Sequence, residues 1–206
     1  KILGIDLIPM LIVALIGGVF IGAINGTFVS YLGVNPFVVT LSSVYLIRGL
    51  QYLLALSTVK GTYIMLDRAV LNLGGNAYFQ IGAFIFASLL LYFFLEKTRY
   101  GRYIKAIGTN IEVARFSGIN IRFYTLLTYL ICGLLTALGG FMLTAYEGLV
   151  RIGAGEGYLI DSFVFPILGQ AVFRKISVEG TLFGALFMYM ILNGLYIFGT
   201  TPENTD

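Results

Sequence analysis

Apolar residues along the chain gather into six long runs, and short links between the runs hold most of the charged residues. A helix that crosses a bilayer needs about 20 mostly apolar residues. Six stretches reach or approach that length, at residues 8–31, 37–56, 79–95, 123–146, 158–173 and 181–198. The fifth is short and contains Pro166 and Gly169. The pattern predicts an all-α fold, a polytopic transmembrane helical bundle with six visible spans.

The composition supports a membrane protein and disfavours an enzyme. Of the 206 residues, 58% are hydrophobic and only 11% are charged, whereas soluble domains are about 25% charged. So few charges could not cover a surface in water, but an apolar surface is stable in lipid. The chain has no histidine, which removes the usual general base and an important metal ligand. We therefore predict no catalytic residue and no metal site.

Lysine and arginine are concentrated in two of the links. The link between the third and fourth runs contains Lys97, Arg99, Arg102, Lys105, Arg115 and Arg122, and the link between the fifth and sixth contains Arg174 and Lys175. Basic links lie on the cytoplasmic side of a membrane. Six alternating crossings place both links inside and residues 57–78 outside, where the pattern predicts a short helix at 63–73. The net charge of +3 thus reflects the orientation of the chain in the membrane rather than binding to nucleic acid. We therefore predict no nucleic-acid partner.

Small residues recur at four-residue spacing in three of the predicted helices. They are Gly18, Gly22 and Gly26 in the first, Gly133 and Ala137 in the fourth, and Gly180 and Gly184 in the sixth. Small side chains at this spacing let two helix backbones approach closely in lipid. The spacing predicts tight helix pairs.

Polar side chains also lie inside the apolar runs. Asn25, Thr40 and Asn193 are candidates for lining a solute pathway, because polar groups at membrane depth face a protein interior or a watery cavity. The alternative is that each forms a hydrogen bond between helices.

The basic link at residues 100–120 predicts a short helix with both ends marked. Thr109 is the expected N-cap, with Glu112 three residues later as in a capping box. Gly118 is expected to end the helix in the left-handed conformation. Val113 and Phe116 would be poorly placed in water. The pattern leaves two interpretations open, which are docking onto another protein and a basic loop lying on anionic lipid.

Residues 101–120, GRYIKAIGTNIEVARFSGIN, resemble the signature loop of the ribose-type ABC importer permeases, in the branched-chain amino acid/ribose permease superfamily. The matching positions are Gly101, Arg102, Ala106, Ile107, Gly108, Asn110, Ala114, Ser117, Gly118 and Ile119. Val113 departs from the alanine common in the family. Blocks at 22–29, 35–49, 154–161 and 180–194 also agree, in order. After the fifth run many members have a glycine-rich turn, where this chain reads LGQAVFRKISVEGT.

The resemblance implies a function and its partners. It implies a permease subunit of an ATP-driven importer for a monosaccharide such as ribose, in the bacterial inner membrane. A separate cytoplasmic ATPase would use the ATP, so the chain needs no cofactor of its own. An outer sugar-binding protein and a second permease subunit, identical or different, would complete the assembly. The ten matching residues, in a cytoplasmic coupling loop at 97–122, would contact the ATPase, with glycines there permitting close approach or special backbone angles.

The resemblance also concerns the extent of the protein. Residues 1–206 would form one permease domain of the type II importer kind. Complete members are longer, with about 8–10 spans of about 20 residues each, so we expect further helices at the N-terminus and at least one at the C-terminus. An ion-coupled secondary carrier or channel for a small polar solute is the alternative function. It usually needs an acidic residue at mid-membrane, and the acidic residues here lie near the ends of the runs.

Overall fold

The computed structural model describes residues 7–56, 63–65, 68–175 and 177–197. These residues form nine helices and one two-stranded sheet. In chain order the elements are α1 (Leu7–Ser30), α2 (Pro36–Leu54), β1 (Tyr63–Met65), α3 (Arg68–Gly74), α4 (Ala77–Lys97), α5 (Arg99–Thr109), α6 (Ile111–Phe116), α7 (Ile121–Glu147), β2 (Leu149–Arg151), α8 (Tyr158–Phe173) and α9 (Val178–Ile197). They belong to two compact units, one ending at Ala154 and the other beginning at Gly155.

Five of the six predicted transmembrane helices are confirmed at spanning length, and the short fifth run also forms a helix. Helices α1, α2, α4, α7 and α9 are long and apolar enough to cross a membrane. Helix α8 lies where the fifth run predicts it, but its 16 residues are fewer than the roughly 20 that a perpendicular crossing needs. Pro166 lies inside α8 without interrupting it. The last residue of the predicted sixth run, 198, lies outside the described residues.

The surface of the described helices is apolar, as lipid requires. Large side chains in the middle of spans are exposed, including Phe20 at 64% and Phe86 at 68%. The buried apolar side chains among the described residues are Val39, Val70, Ala114, Phe141 and Ala145. Since lipid is as apolar as these side chains, helix pairing must depend on close packing and hydrogen bonds.

Helices α1 and α7 pack closely along a row of glycines. A Cβ atom at Gly18 would lie 2.5 Å from the Cβ of Ala137, and one at Gly26 would lie 2.8 Å from Cδ1 of Leu126. Gly22, between them, is buried. Residue numbers rise along α1 as they fall along α7, so the two helices are antiparallel. The close pairing predicted from the small residues is confirmed.

The link between α2 and α4 contacts the C-terminal end of α7. Strand β1 pairs antiparallel with β2, which follows α7, and places Ile64 opposite Val150. Gly74, at the end of α3, lies against the backbone of Ala145 in the last turns of α7. Helix α7 has 27 residues, so these contacts lie about 40 Å along its axis from the 97–122 link at its other end.

The helix predicted at residues 63–73 is corrected by the structure. Residues 63–65 form strand β1, and the helix begins only at Arg68. Tyr63 and Ile64 are residue types that suit strands, and their partner strand is far along the chain. A local pattern could not reveal that pairing.

In the second unit, α8 and α9 form an antiparallel pair. Gly169 lies against the backbone of Gly180, and Gly184 lies against the carbonyl of Phe165. Arg174 ends α8 in the left-handed conformation, with φ of 55°. This turn is the place where the chain lacks the family's glycines, and Arg174 adopts a backbone angle that costs a residue with a side chain about 1–2 kcal/mol.

Candidate functional site

The link at residues 97–122 contains two short helices, α5 and α6, where the sequence predicted one. Asn110 separates them in an extended conformation, with φ of −158°. Its side-chain oxygen accepts hydrogen bonds from the backbone N–H groups of Glu112 and Val113, at 3.0 and 3.1 Å. Thr109 is instead the last residue of α5, and its hydroxyl donates to the carbonyl of Lys105. The predicted N-cap at Thr109, with its capping box to Glu112, is therefore wrong.

The chain passes from α4 into α5 through a tight turn at Thr98. The Thr98 hydroxyl accepts a hydrogen bond from the N–H of Gly101, at 3.2 Å. Gly101 is buried against the backbone of Leu95, and no Cβ would fit there. Lys105 forms an ion pair with Glu96 across the same turn. The start of α5 is thereby held against the end of α4.

A cluster of aromatic rings connects α5 to both α4 and α7. The ring of Tyr100 stacks on that of Phe94, with centroids 6.3 Å apart and planes within 8°. Tyr124, in the first turn of α7, lies 6.2 Å from Tyr100 and 5.2 Å from Tyr103. Such offset or edge-on ring pairs are favourable beyond the area that they bury. We call these four residues the aromatic bracket.

Gly118 stops helix α6 just beyond its last residue, as the sequence predicted. Gly118 has φ of 76°, in the left-handed region that favours glycine. Its N–H donates to the carbonyl of Arg115, and the N–H of Ile119 donates to the carbonyl of Ala114. This pair of bonds is a Schellman motif, which satisfies the last carbonyls of a helix. Asn120 then caps α7, so α6 is fixed at both ends.

The two sides of α6 differ sharply in exposure. Ala114 is buried, with 2% of its surface exposed, whereas Val113 is 60% and Phe116 89% exposed. Val113 and Phe116 are three residues apart and share one side of the helix. We call them the apolar face of α6. A nearly fully exposed phenylalanine on a six-residue helix is unfavourable in water and indicates a surface that another molecule covers.

The link also contains several exposed basic side chains. Two ion pairs join Lys105 to Glu96 and Arg115 to Glu112. Basic side chains that take part in neither pair are exposed at Lys97, Arg99, Arg102 and Arg122. The link therefore contains both an exposed apolar face and exposed cations.

The ten matched residues of the link differ in exposure. Gly101 and Ala114 are buried, Ala106, Ile107 and Ile119 are half-buried, and Arg102, Gly108, Asn110, Ser117 and Gly118 are exposed. Gly101 has the close approach expected of a glycine, and Gly118 has the special backbone angle. Gly108 has neither, because a Cβ there would meet nothing within 4 Å and its φ is not positive. A close approach of the ATPase at Gly108 stays a prediction.

The three candidate pathway residues do not form one cluster within either unit. Asn25 on α1 accepts a hydrogen bond from the hydroxyl of Ser43 on α2. Thr40 donates to carbonyls of its own helix, including that of Pro36 at 3.0 Å. Asn193 is exposed on α9, in the second unit. The Asn25 contact is the interhelical hydrogen bond that the sequence left open as an alternative.

Sequence reasoning missed several residues that shape these sites. Ser43 was overlooked, although its place in an apolar helix beside other hydroxyl residues was a signal for a hydrogen-bond partner. The aromatic bracket was also missed. Two of its tyrosines, Tyr100 and Tyr103, are three residues apart in the link, and this spacing places them on one side of a helix.

Comparison with known proteins identifies the family. The chain matches the family described as "Branched-chain amino acid transport system / permease component" over residues 2–206. The chain belongs to this permease family.

Curated relatives of this permease import sugars. It is 32% identical to a fructose import permease protein of Rhizobium meliloti over 91% of this chain and 55% of the relative. It is 31% identical to a ribose import permease protein of Escherichia coli over 98% of this chain and 65% of the relative. It is 29% identical to a galactose/methyl galactoside import permease protein of Haemophilus influenzae over 95% of this chain and 61% of the relative. The permease thus spans between about half and two thirds of the length of these relatives. No solved structure matches it significantly.

These matches confirm the recognition of a sugar ABC importer permease and its all-α, polytopic fold. Together with the five apolar helices of spanning length, they identify a multi-pass protein of the inner membrane. The relatives are named for fructose, ribose and galactose, at similar identities. These relatives therefore share sugar import in their names, but not one sugar.

Proposed function

We propose that this permease is the membrane-spanning subunit of an ATP-driven importer for a monosaccharide. A cytoplasmic ABC ATPase hydrolyses the ATP, an extracytoplasmic binding protein delivers the sugar, and a second permease subunit completes the pathway. The names of the sugar import relatives support this function. The observation that carries the coupling role is the exposed apolar face of α6 on a helix whose two ends are fixed.

The link at 97–122 is the proposed contact with the ATPase. An apolar side chain such as Phe116, 89% exposed, gains most when a partner removes it from water. The exposed arginines and lysines nearby attract acidic groups on that partner. Since capped ends hold α6 in place, a push on the apolar face is carried into the chain rather than absorbed by a flexible loop.

The link is joined directly to two long helices, and these connections give the proposed mechanism of transport. Helix α5 follows α4 through Thr98, and α6 leads through Asn120 into α7. Closure of the ATPase pair would displace the link and tilt α4 and α7, a rigid-body shift between two states. Asn25, Thr40 and Asn193 are proposed to line the pathway, where weak and exchangeable hydrogen bonds let a sugar enter and leave.

The second candidate function is an ion-coupled carrier. In the described residues, the acidic side chains within long helices lie near helix ends, as with Glu96 in α4 and Glu147 in α7. A carrier would use an acidic group at mid-membrane. Purification from native membranes separates the two functions, because only the importer brings an ATPase with it.

The apolar face provides the sharpest test of the coupling role. Ala114 is a poor site for a variant, because it is buried and a larger residue would disturb α6 itself. Phe116 and Tyr78 are equally exposed, at 89%. Tyr78 lies at the end of α4 that is opposite to the 97–122 link. In the full-length transporter reconstituted with its ATPase, we expect Phe116→Asp to reduce ATPase binding and uptake at least tenfold, as loss of about 1.4 kcal/mol or more would do.

The matched control is Tyr78→Asp, which places the same charge at an equally exposed aromatic position. It should leave ATPase binding unchanged. If Phe116→Asp binds the ATPase as well as the unaltered protein does, the link is not the coupling contact. Uptake of ribose, fructose and galactose with the cognate binding protein then assigns the sugar, and uptake of none of them argues against an importer for these monosaccharides.

A further inference from the structure

The aromatic bracket lies between the link and the two long helices that flank it. Phe94 belongs to the last turns of α4, Tyr100 and Tyr103 to α5, and Tyr124 to the first turn of α7. The contacts run as a chain of three ring pairs at 6.3, 6.2 and 5.2 Å. The bracket therefore joins three helices by side chains, independently of the backbone turns.

Tyr124 has a particular place in this bracket. Its ring meets both Tyr100, at an interplanar angle of 49°, and Tyr103, edge-on at 65°. These two tyrosines lie one turn apart on the same side of α5. Tyr124 is thus held by two points of α5, which fixes the direction of α5 relative to α7 as well as its distance.

The aromatic bracket adds a direct side-chain contact between α5 and α7 to the backbone path between them. The backbone path between them passes through Asn110, in an extended conformation, and through the left-handed turn at Gly118. The ion pair of Lys105 with Glu96 ties α5 to α4 but not to α7. It is also partly exposed, with 41% of the lysine and 27% of the glutamate side-chain surface accessible, so it adds little rigidity.

We infer that Tyr124 is a positioning residue that locks α5 to α7, so that a displacement of the 97–122 link moves α4 and α7 together. This inference rests on the proposed function, because it assigns Tyr124 to the coupling of ATP hydrolysis to transport. Tyr124 acts through the orientation of the link and contacts neither the sugar nor the ATPase. The ring provides this role, and the hydroxyl is not needed for it.

The test uses the full-length transporter in lipid nanodiscs and in proteoliposomes with its ATPase. Tyr124→Ala removes the ring, Tyr124→Phe keeps it, and Phe93→Ala removes an exposed neighbouring ring (63% exposed) that takes no part in the bracket. We expect Tyr124→Ala to raise amide hydrogen exchange in α5 about tenfold, since both ring contacts between Tyr124 and α5 are lost. Sugar taken up per ATP hydrolysed should fall severalfold, while ATPase binding is retained. Tyr124→Phe and Phe93→Ala should match the unaltered protein in every measurement.

Each outcome decides the inference. Unchanged exchange in α5 overturns it, and so does faster exchange with unchanged uptake per ATP, because the ring would then only stabilise the link. Loss of uptake in Tyr124→Phe also overturns it, since the hydroxyl would be the active group. If Tyr124→Ala fails to fold, Tyr124→Leu keeps an apolar side chain without the ring and should show the same uncoupling. If the unaltered protein shows no ATP-dependent uptake, the proposed function fails first and the inference falls with it.

Discussion

At the scale of single residues, the glycines of the link have different physical roles. Gly101 lies in a space that has no room for a side chain, because Leu95 approaches from the end of α4. Gly108 lies on the exposed side of α5, with nothing within 4 Å of a Cβ position. Sequence resemblance alone assigns both glycines to the same coupling role. The structure shows that Gly101 is needed for the tight turn after α4, whereas Gly108 lies on an exposed surface of α5.

This difference predicts opposite effects of the same substitution. Gly101→Ala should destabilise the protein by about 1–3 kcal/mol, the cost of forcing a group into a closely packed space. Gly108→Ala should stabilise it by up to about 1 kcal/mol, since alanine is the better helix former. Thermal unfolding in detergent, followed by circular dichroism, measures both. Equal effects of the two variants would contradict the packing described at Gly101. If Gly108→Ala keeps its stability but loses uptake, Gly108 is part of a docking surface.

At the scale of elements, α6 depends on its caps. It has only six residues, too few to be stable alone in water. Asn110→Ala should therefore cost about 1 kcal/mol, the usual value of a side-chain N-cap. Thr109→Ala is the matched control, because the Thr109 hydroxyl bonds within α5. Amide hydrogen exchange of residues 112–116 should rise in Asn110→Ala and stay unchanged in Thr109→Ala. The reverse result would restore the capping box at Thr109.

The elements also show what the sequence can and cannot predict. Apolar runs predict the long helices well, because span length is set by the thickness of the bilayer. The glycine rows likewise predict that α1 and α7 each pack closely against another helix. They do not predict that the two helices are each other's partner. The N-cap was placed one residue early because Thr109 and Asn110 are both good capping residues, and only the backbone conformation chooses between them.

Contacts between distant parts of the chain are harder to predict. The strand at Tyr63–Met65 depends on Leu149–Arg151, and a window of local residues contains no sign of that partner. The aromatic bracket depends on Phe94 and Tyr124 meeting at a helix end. Tyrosines in a link between spans are common enough at membrane interfaces that their sequence positions alone do not indicate a bracket.

At the scale of the first compact unit, the packing fixes the sequence of crossings. Helices α1 and α7 are antiparallel, and the contacts of α3 and β1 lie at the end of α7 opposite to the 97–122 link. Tyr78, in the first turn of α4, and Phe116, beyond the last turn, must therefore lie on opposite sides of the membrane. The basic residues of the link predict that Phe116 lies on the cytoplasmic side.

Cysteine labelling tests this arrangement directly. The chain has one cysteine, Cys132, which lies within α7, so Cys132→Ser gives a background for single-cysteine variants. In that background we expect Tyr78→Cys to react with a membrane-impermeant maleimide added to intact spheroplasts. Phe116→Cys should react only in inside-out vesicles. Both side chains are 89% exposed, so a difference in labelling reports the side of the membrane rather than burial.

The possible results distinguish the helix packing from the orientation of the chain in the membrane. Labelling of both positions from the same side would mean that α4 does not cross the bilayer, although its 21 residues suffice for a span. Opposite labelling with Phe116→Cys outside would keep the helix packing but reverse the orientation. An ATPase in the cytoplasm could not then reach α6, and the apolar face would have to meet an external partner. Labelling of Phe116→Cys from the cytoplasm alone is the result expected if a cytoplasmic ATPase covers the apolar face.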